Sequence, residues 1–95
     1  CTQIKMITAK RSFKAANAAY QSQDYRKAAT LYQETIDAFP DLNVAYFFLG
    51  NSLDNLYKPS RKGEPANDKL LDDAVKNYQI AAERLAGGQT EEEKK

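Results

Sequence analysis

The side chains that most often carry chemistry are scarce in this sequence. Its 95 residues include no histidine and one cysteine, Cys1, so the commonest general base and any thiolate metal cage are missing. The carboxylates do not converge, because Asp72 and Asp73 are neighbours that diverge on a helix, and residues 91–93 lie near the chain end. Serine and threonine have no histidine to activate them, and no phosphate-binding loop is present. We expect no catalytic, cofactor-binding or metal-binding residues and no enzyme.

The first residue carries the one thiol of the chain. A sequence that begins with Cys1 resembles a mature bacterial lipoprotein, whose signal peptide is cut just before a lipidated cysteine. Thr2 then fits sorting to the outer membrane of Gram-negative bacteria. The alternative is a fragment that happens to begin with cysteine. The first hypothesis predicts a membrane-anchored protein of the bacterial cell envelope, and the second a cytoplasmic one.

The charge near the start of the chain is entirely basic. Four cations precede Asp24 with no acid among them, namely Lys5, Lys10, Arg11 and Lys14. Such cations are attracted to an anionic membrane surface by about 1 kcal/mol each, an effect that gains weight only if Cys1 carries lipid. The alternative interpretation is a solvated helix face.

The composition is that of a soluble globular protein with one small domain. Apolar residues make up 42% of the chain and charged residues 28%. The net charge of +1 gives no strong field, so we expect no nucleic-acid partner. No apolar run approaches the roughly 20 residues that a membrane-spanning helix needs.

Apolar periodicity predicts two helices before Pro40. The segment 2–23 contains no Gly or Pro and is rich in Ala, which favours a first helix. Asp24 is the expected N-cap of the second helix. Proline ends that helix at Phe39, because it lacks an N–H donor and restricts the preceding residue.

Two further helices follow, and the fold class is therefore all-α. Asp41 is the expected N-cap of the third helix, which extends to about Tyr57. Turn-forming residues predict a loop over 58–67. The fourth helix covers about 67–86 and stops at Gly87, because glycine tolerates the left-handed conformation of a helix end.

Two stretches share one pattern of small and large residues. The first holds Asn17, Ala18, Tyr25, Ala28, Tyr32 and Pro40, and the second holds Tyr46, Leu49, Gly50, Asn51, Leu53, Ala74, Tyr78 and Ala81. The pattern resembles the tetratricopeptide repeat, a helix–turn–helix unit of about 34 residues. This resemblance implies two tandem units whose four antiparallel helices form a fragment of a right-handed α-solenoid. Small residues such as Ala28 and Gly50 fit it independently, because they let helices approach closely.

The resemblance also divides the chain into parts. These are an N-terminal anchor or helix extension (1–8), a first unit (9–42), a second unit (43–86) and a charged tail (87–95). Two units are fewer than the three or so that such folds usually need. The last helix therefore leaves an edge that a partner or a second copy would cover.

The second unit departs from the repeat by an insertion of roughly a dozen residues. It corresponds to the predicted loop 58–67, whose cations Lys58, Arg61 and Lys62 form a candidate contact loop. Insertions in repeats project on one face and often make contacts. An ordinary solvated loop is the alternative.

In the repeat family, the first helices of successive units line a concave groove. Carried over to this chain, the groove residues are Phe13, Asn17, Tyr20, Phe47, Phe48 and Asn51. The amides suit peptide backbone, and the phenylalanines supply an apolar anchor. Phe47 and Phe48 are neighbours, so we expect one to face the core and the other the groove. The clamp that some relatives use for chaperone tails is missing, because Phe13 and Phe48 replace its Lys and Asn.

These features predict a noncatalytic protein–protein interaction module without cofactors. The specific hypothesis is a small bacterial lipoprotein that scaffolds or stabilises a larger membrane-associated complex. Its contacts would be the groove, the open edge and the tail. The alternative is a soluble adaptor fragment of a longer repeat protein that binds an extended peptide or a helix in its groove.

Overall fold

The computed structural model describes the backbone of residues 2–94 and the side chains of residues 4–85. It has four α-helices, namely α1 (Thr2–Gln21), α2 (Tyr25–Ala38), α3 (Asn43–Leu56) and α4 (Pro65–Lys94), and a short 3₁₀ helix over Pro59–Arg61. No strand occurs within residues 2–94, and each α-helix packs on the next in the sequence. The all-α prediction is confirmed, whereas the right-handed sense of the solenoid stays a prediction.

The turn between α1 and α2 is built by two residues. Gln23 has a positive φ of 65°, which ends α1 two residues before the predicted limit. Asp24 then caps α2, as predicted, because its Oδ1 accepts a hydrogen bond from the backbone N–H of Lys27 at 3.3 Å. The two helices are thereby joined by a tight turn.

The turn between α2 and α3 corrects one predicted cap. Helix α2 ends at Ala38, two residues before Pro40, in agreement with the sequence. Helix α3, however, begins after Leu42, and no side chain caps it. Leu42 therefore occupies the N-cap position, and the carboxylate of Asp41 lies 4.0 Å from the guanidinium of Arg84 on α4 as a surface contact.

Helix α4 is longer at both ends than the sequence predicted. It begins at Pro65 rather than near Asn67, because proline is favoured in the first turn of a helix, where its missing N–H has no role. The predicted stop at Gly87 is wrong, and the backbone of 87–94, expected as a tail, is helical. Glycine costs a helix only about 1 kcal/mol, and no proline follows.

The core combines small residues at helix crossings with large rings between them. Ala16 and Ala28 are completely buried, and so is the ring of Tyr32. At Gly50, a Cβ atom would lie 3.1 Å from the carbonyl oxygen of Ala74, so the missing side chain allows α3 and α4 to cross closely. The core therefore has the small-and-large pattern that the sequence predicted.

Candidate functional site

Three of the four aromatic residues of the predicted groove pack against the core. Phe13, Tyr20 and Phe48 are half-buried and pack against the core. The ring of Phe48 lies 5.4 Å from that of Tyr20 and stacks on Tyr32 at 5.6 Å. Phe47, by contrast, is 41% exposed. One phenylalanine of the adjacent pair thus faces the core and the other is accessible.

The two groove asparagines connect helices to one another. Asn17 accepts a hydrogen bond from the hydroxyl of Tyr32 at 2.6 Å. Asn51 accepts one from Tyr20 at 2.5 Å and another from Asn55 at 3.0 Å, and it donates to Tyr78 at 3.1 Å. The sequence predicted that these amides bind the backbone of a peptide. In the structure, the Oδ1 atoms of both asparagines already accept hydrogen bonds from side chains of the protein itself. Replacing Asn51 would break several helix contacts at once.

Two of the tyrosines in these contacts, Tyr32 and Tyr78, have raised pKa values. Burial, assisted by the nearby Tyr20, raises the pKa of Tyr32 to about 12. The pKa of Tyr78 is also raised, chiefly by burial, with the carboxylate of Asp54 acting in the same direction and a hydrogen bond from Asn51 opposing it. The hydroxyl of Tyr78 donates towards Asp54 at 3.4 Å. Both phenols are therefore hydrogen-bond donors at neutral pH.

A second apolar surface lies on the outer side of α4. Five residues at alternating spacings of four and three form one outward stripe: Leu71, Val75, Tyr78, Ala82 and Leu85. Leu71, Val75 and Leu85 are 36%, 46% and 41% exposed. Phe47 of α3 adjoins this stripe, with its ring 5.8 Å from that of Tyr78. We call the stripe together with Phe47 the open face.

The sequence contained this stripe but did not separate it from the core. Helical spacing predicts one apolar stripe on the fourth helix, whereas in the structure its residues form two stripes; the predicted stripe comprises Leu70, Leu71, Ala74, Val75, Tyr78, Ala81, Ala82 and Leu85. Ala74 and Ala81 are buried at 1% and 2% exposure, whereas Val75 and Ala82 are exposed. The alternating spacing of four and three was the sequence signal for the exposed stripe. Which of the two stripes is covered by another helix depends on tertiary packing.

The first unit shows what covers the corresponding face there. The pairs Asn17–Tyr32 and Asn51–Tyr78 align the units, which makes Ala29 the counterpart of Val75. Ala29 is only 8% exposed, because α3 packs on α2. Within residues 4–85, no further helix packs on α4 in the same way. The open face on α4 thus corresponds to the surface of α2 that α3 covers.

A hollow of about 560 Å³ lies between α2, α3 and α4. Ala29, Leu49 and Leu53 supply apolar walls, and the carboxylates of Glu34, Asp37 and Asp73 are among the remaining lining groups. No group of three or more metal-ligating side chains occurs among the residues that the structure describes. The hollow is therefore lined by acidic side chains, and the described residues form no candidate metal centre.

The predicted contact loop is exposed but has an internal fastening. Lys58, Arg61 and Lys62 are all exposed, and Arg61 lies 4.0 Å from Glu64, a surface ion pair that contributes little stability. The amide of Asn67 donates to the carbonyl of Lys58 at 2.8 Å and accepts from its N–H at 2.9 Å. The loop is thus closed at its base while its cations remain accessible.

Arg84 is a structural residue that the sequence did not single out. Its guanidinium donates to the carbonyl of Pro40 at 2.9 Å and to Asn43 at 3.3 Å. It also lies 4.9 Å from the centre of the Tyr46 ring, in cation–π contact. An isolated cation in a helix gives no sequence signal for such a role, because its partners lie more than 35 positions earlier.

Comparison of the chain with protein-family models, with curated proteins and with solved structures finds no significant match. The repeat resemblance therefore rests on the residues quoted above. None of the described helices is long and apolar enough to cross a membrane. The lipidation predicted at Cys1 lies outside the described residues.

Proposed function

We propose that this chain is a noncatalytic interaction module that holds subunits of a larger complex together. Its main docking surface is the open face on α3 and α4, and its ligand there is an amphipathic helix of a protein partner. The predicted groove has a lesser role, because three of its four rings pack against the core.

One observation carries this proposal, namely the exposure of an apolar stripe whose counterpart is covered. Val75 is 46% exposed where its counterpart Ala29 is 8% exposed under α3. Three large apolar residues of α4 and Phe47 together remain accessible to solvent. Contiguous apolar surface of this kind is typical of protein-interaction sites. The spacing of four and three suits a helix as the ligand, since it is the spacing of helix–helix seams.

The location of the module is a second part of the proposal. A lipid on Cys1 would hold it at the bacterial envelope, and the basic α1 would then lie near the membrane surface. The exposure of Ile4 and Ile7, 65% and 56%, favours this arrangement, because both precede the cations Lys10 and Arg11 on one helix. A soluble adaptor that binds a helix from its partner is the alternative, and it needs the same open face.

Site-specific photocrosslinking tests the docking surface. A photoreactive phenylalanine analogue at Val75 is expected to capture a defined partner protein in the organism that makes the chain. The same analogue at Lys76, exposed on the neighbouring side of α4, is the matched control. Leu71→Asp within the stripe is expected to abolish capture at position 75, because a charge would then enter the apolar contact.

Two outcomes of the crosslinking experiment would overturn the proposal. Equal capture at positions 75 and 76, or capture at 75 that survives Leu71→Asp, would show that the open face is not the docking surface. Circular dichroism of Leu71→Asp tests whether the helices are retained. If they are, a loss of capture is due to the loss of the contact with the partner. Phe47→Ala provides a second variant of the same face, because this side chain is 41% exposed.

A further inference from the structure

Phe48 forms the joint between the first unit and the second. Its ring lies 6.3 Å from Phe13, 5.4 Å from Tyr20 and 5.6 Å from Tyr32. Two of these rings belong to α1 and one to α2. A side chain at the centre of three aromatic rings fixes how α3 docks on the preceding helix pair.

The same arrangement recurs on the open face with two residues changed. Positions 13 and 20 recur 34 residues later as Phe47 and Asp54, and Tyr78 repeats Tyr32. The tyrosine that faces the joint has become Asp54, which is exposed and lies 3.4 Å from the hydroxyl of Tyr78. In the other direction, Phe48 corresponds to Lys14, which is exposed on α1.

These two changes are complementary in charge. A helix docked on the open face as α3 docks on the first unit would place residue 14 between Phe47, Asp54 and Tyr78. A lysine there gains an ion pair with the carboxylate and cation–π contact with the two rings. Neither Lys14 nor Asp54 forms an ion pair among the described side chains of its own chain.

Three further residues of α1 suit the same contact. Ala15 and Ala18 share the outward side of α1 with Lys14, and both are exposed. Ile7, 56% exposed, continues this side towards the start of the helix. The alanines allow close approach of a second helix, and the isoleucine offers apolar area.

The two surfaces also differ in charge. Helix α1 holds four cations and no acid, whereas Asp54, beside Tyr78 of the open face, supplies a carboxylate. Opposite charge on two surfaces of one molecule favours their mutual association and disfavours pairing of like surfaces.

We propose that the open face binds α1 of a second copy of this chain, head to tail, with Lys14 of that copy held by Phe47, Asp54 and Tyr78. The inference rests on the proposed function, since it names the helix that the open face takes. The contact is heterologous, so one copy uses α1 and its neighbour uses α3 and α4. Such a contact continues from copy to copy unless the rotation closes a ring.

Sedimentation velocity of the purified chain over a range of concentrations tests the inference. The wild type is expected to associate reversibly, and added salt is expected to weaken the association, because screening reduces the ion pair. Lys14→Glu is expected to weaken association by at least about tenfold, since like charges would then face each other. Lys5→Glu is the matched control, nine residues earlier and half a turn around α1. It is expected to change association by less than about twofold.

A mixing experiment tests the head-to-tail geometry. Val75→Lys blocks the open face, because a cation there repels the basic α1, and it leaves α1 intact, whereas Lys14→Glu blocks α1 and leaves the open face intact. Each variant alone is expected to be monomeric, and an equimolar mixture is expected to form a heterodimer that does not grow further. Thr30→Lys, which adds one positive charge at an exposed site of α2, is the control for Val75→Lys and is expected to associate like the wild type.

Several outcomes would overturn the inference. These are a wild type that stays monomeric at every concentration, equal effects of Lys14→Glu and Lys5→Glu, and a mixture that stays monomeric. Binding of a monomeric wild type to anionic vesicles, lost in Lys14→Glu, would assign α1 to a membrane instead. If the crosslink at position 75 captures a different protein, the proposed function stands while the second copy is excluded as its ligand.

Discussion

The hydroxyl of Tyr32 links a buried ring to a polar contact between α1 and α2. Its ring is completely buried and stacks on Phe48, while the hydroxyl donates to Asn17. A side chain of this kind stabilises the fold only while it stays protonated, because a buried phenolate would lose its solvation. The stability of the protein should therefore respond to alkaline pH through this residue.

The expected response is a loss of stability between about pH 10 and pH 12. Tyr32 has an ordinary pKa of 10.0 and a folded pKa of about 12, so both states are neutral below pH 10. Above pH 10 the unfolded chain releases this proton first, and the free energy of unfolding falls by up to about 2–3 kcal/mol. Urea unfolding at several pH values measures the loss.

Tyr32→Phe is the comparison variant for this measurement. It removes the ionisable group and one hydrogen bond, so it should be less stable by about 1 kcal/mol at neutral pH and fall less steeply at high pH. A residual slope is expected from Tyr78, whose pKa is also raised. Identical pH slopes for the wild type and Tyr32→Phe would contradict the assignment.

At the scale of elements, one buried side chain holds the loop between α3 and α4. Asn67 is 8% exposed and bonds both the N–H and the carbonyl of Lys58. Asn67→Ala should lower the free energy of unfolding by about 2 kcal/mol, because two backbone groups lose their partners. Ser60→Ala, an exposed change in the same loop, should cost less than about 0.5 kcal/mol. Chemical denaturation compares the two, and equal effects would exclude the fastening role.

The sequence predicted the helices better than their ends. The four helices, the cap at Asp24 and the break at Pro40 follow from local physics, since each depends on neighbouring residues. The Asp41 cap failed because α3 begins one residue later than expected, so Leu42 and not Asp41 occupies the N-cap position. Pro65 was interpreted as part of a loop although proline also favours a first helical turn.

The candidate site was less predictable than the helices. Six groove residues were named from the resemblance, and three of them, Phe13, Tyr20 and Phe48, pack mainly against one another. Sequence periodicity shows which side of a helix is apolar but not which neighbour covers it. The predicted open edge has its residues on α4 and at Phe47, which only the packing of α3 on α4 could indicate.

At the scale of the molecule, Arg84 connects the end of the α3–α4 pair with the turn after α2. Its contacts with Pro40, Asn43 and the ring of Tyr46 span the two units. Arg84→Lys keeps the charge but loses the planar group that donates and stacks, and it should destabilise the fold by about 1 kcal/mol. Arg26→Lys, at an exposed site of α2, should have almost no effect.

Thermal unfolding measures the stability of Arg84→Lys, and hydrogen exchange measures its amide protection. Weakened amide protection at the start of α3 in Arg84→Lys would locate the loss at the turn. If Arg84→Lys is as stable as Arg26→Lys and amide protection near Asn43 is unchanged, the guanidinium of Arg84 does not stabilise the turn after α2.

The fastening of Lys58 by Asn67 also makes the loop a place where the chain can be engineered. The two ends of the loop are joined by hydrogen bonds between the backbone of Lys58 and the side chain of Asn67, and the segment between them is exposed. Lengthening a loop whose ends are held costs little, because closure entropy grows only slowly with length. A peptide tag or a small reporter domain inserted between Lys62 and Gly63, after the 3₁₀ helix, would leave α1 and the open face untouched. Such an insertion would mark the protein in cells while both of its proposed contact surfaces stay free.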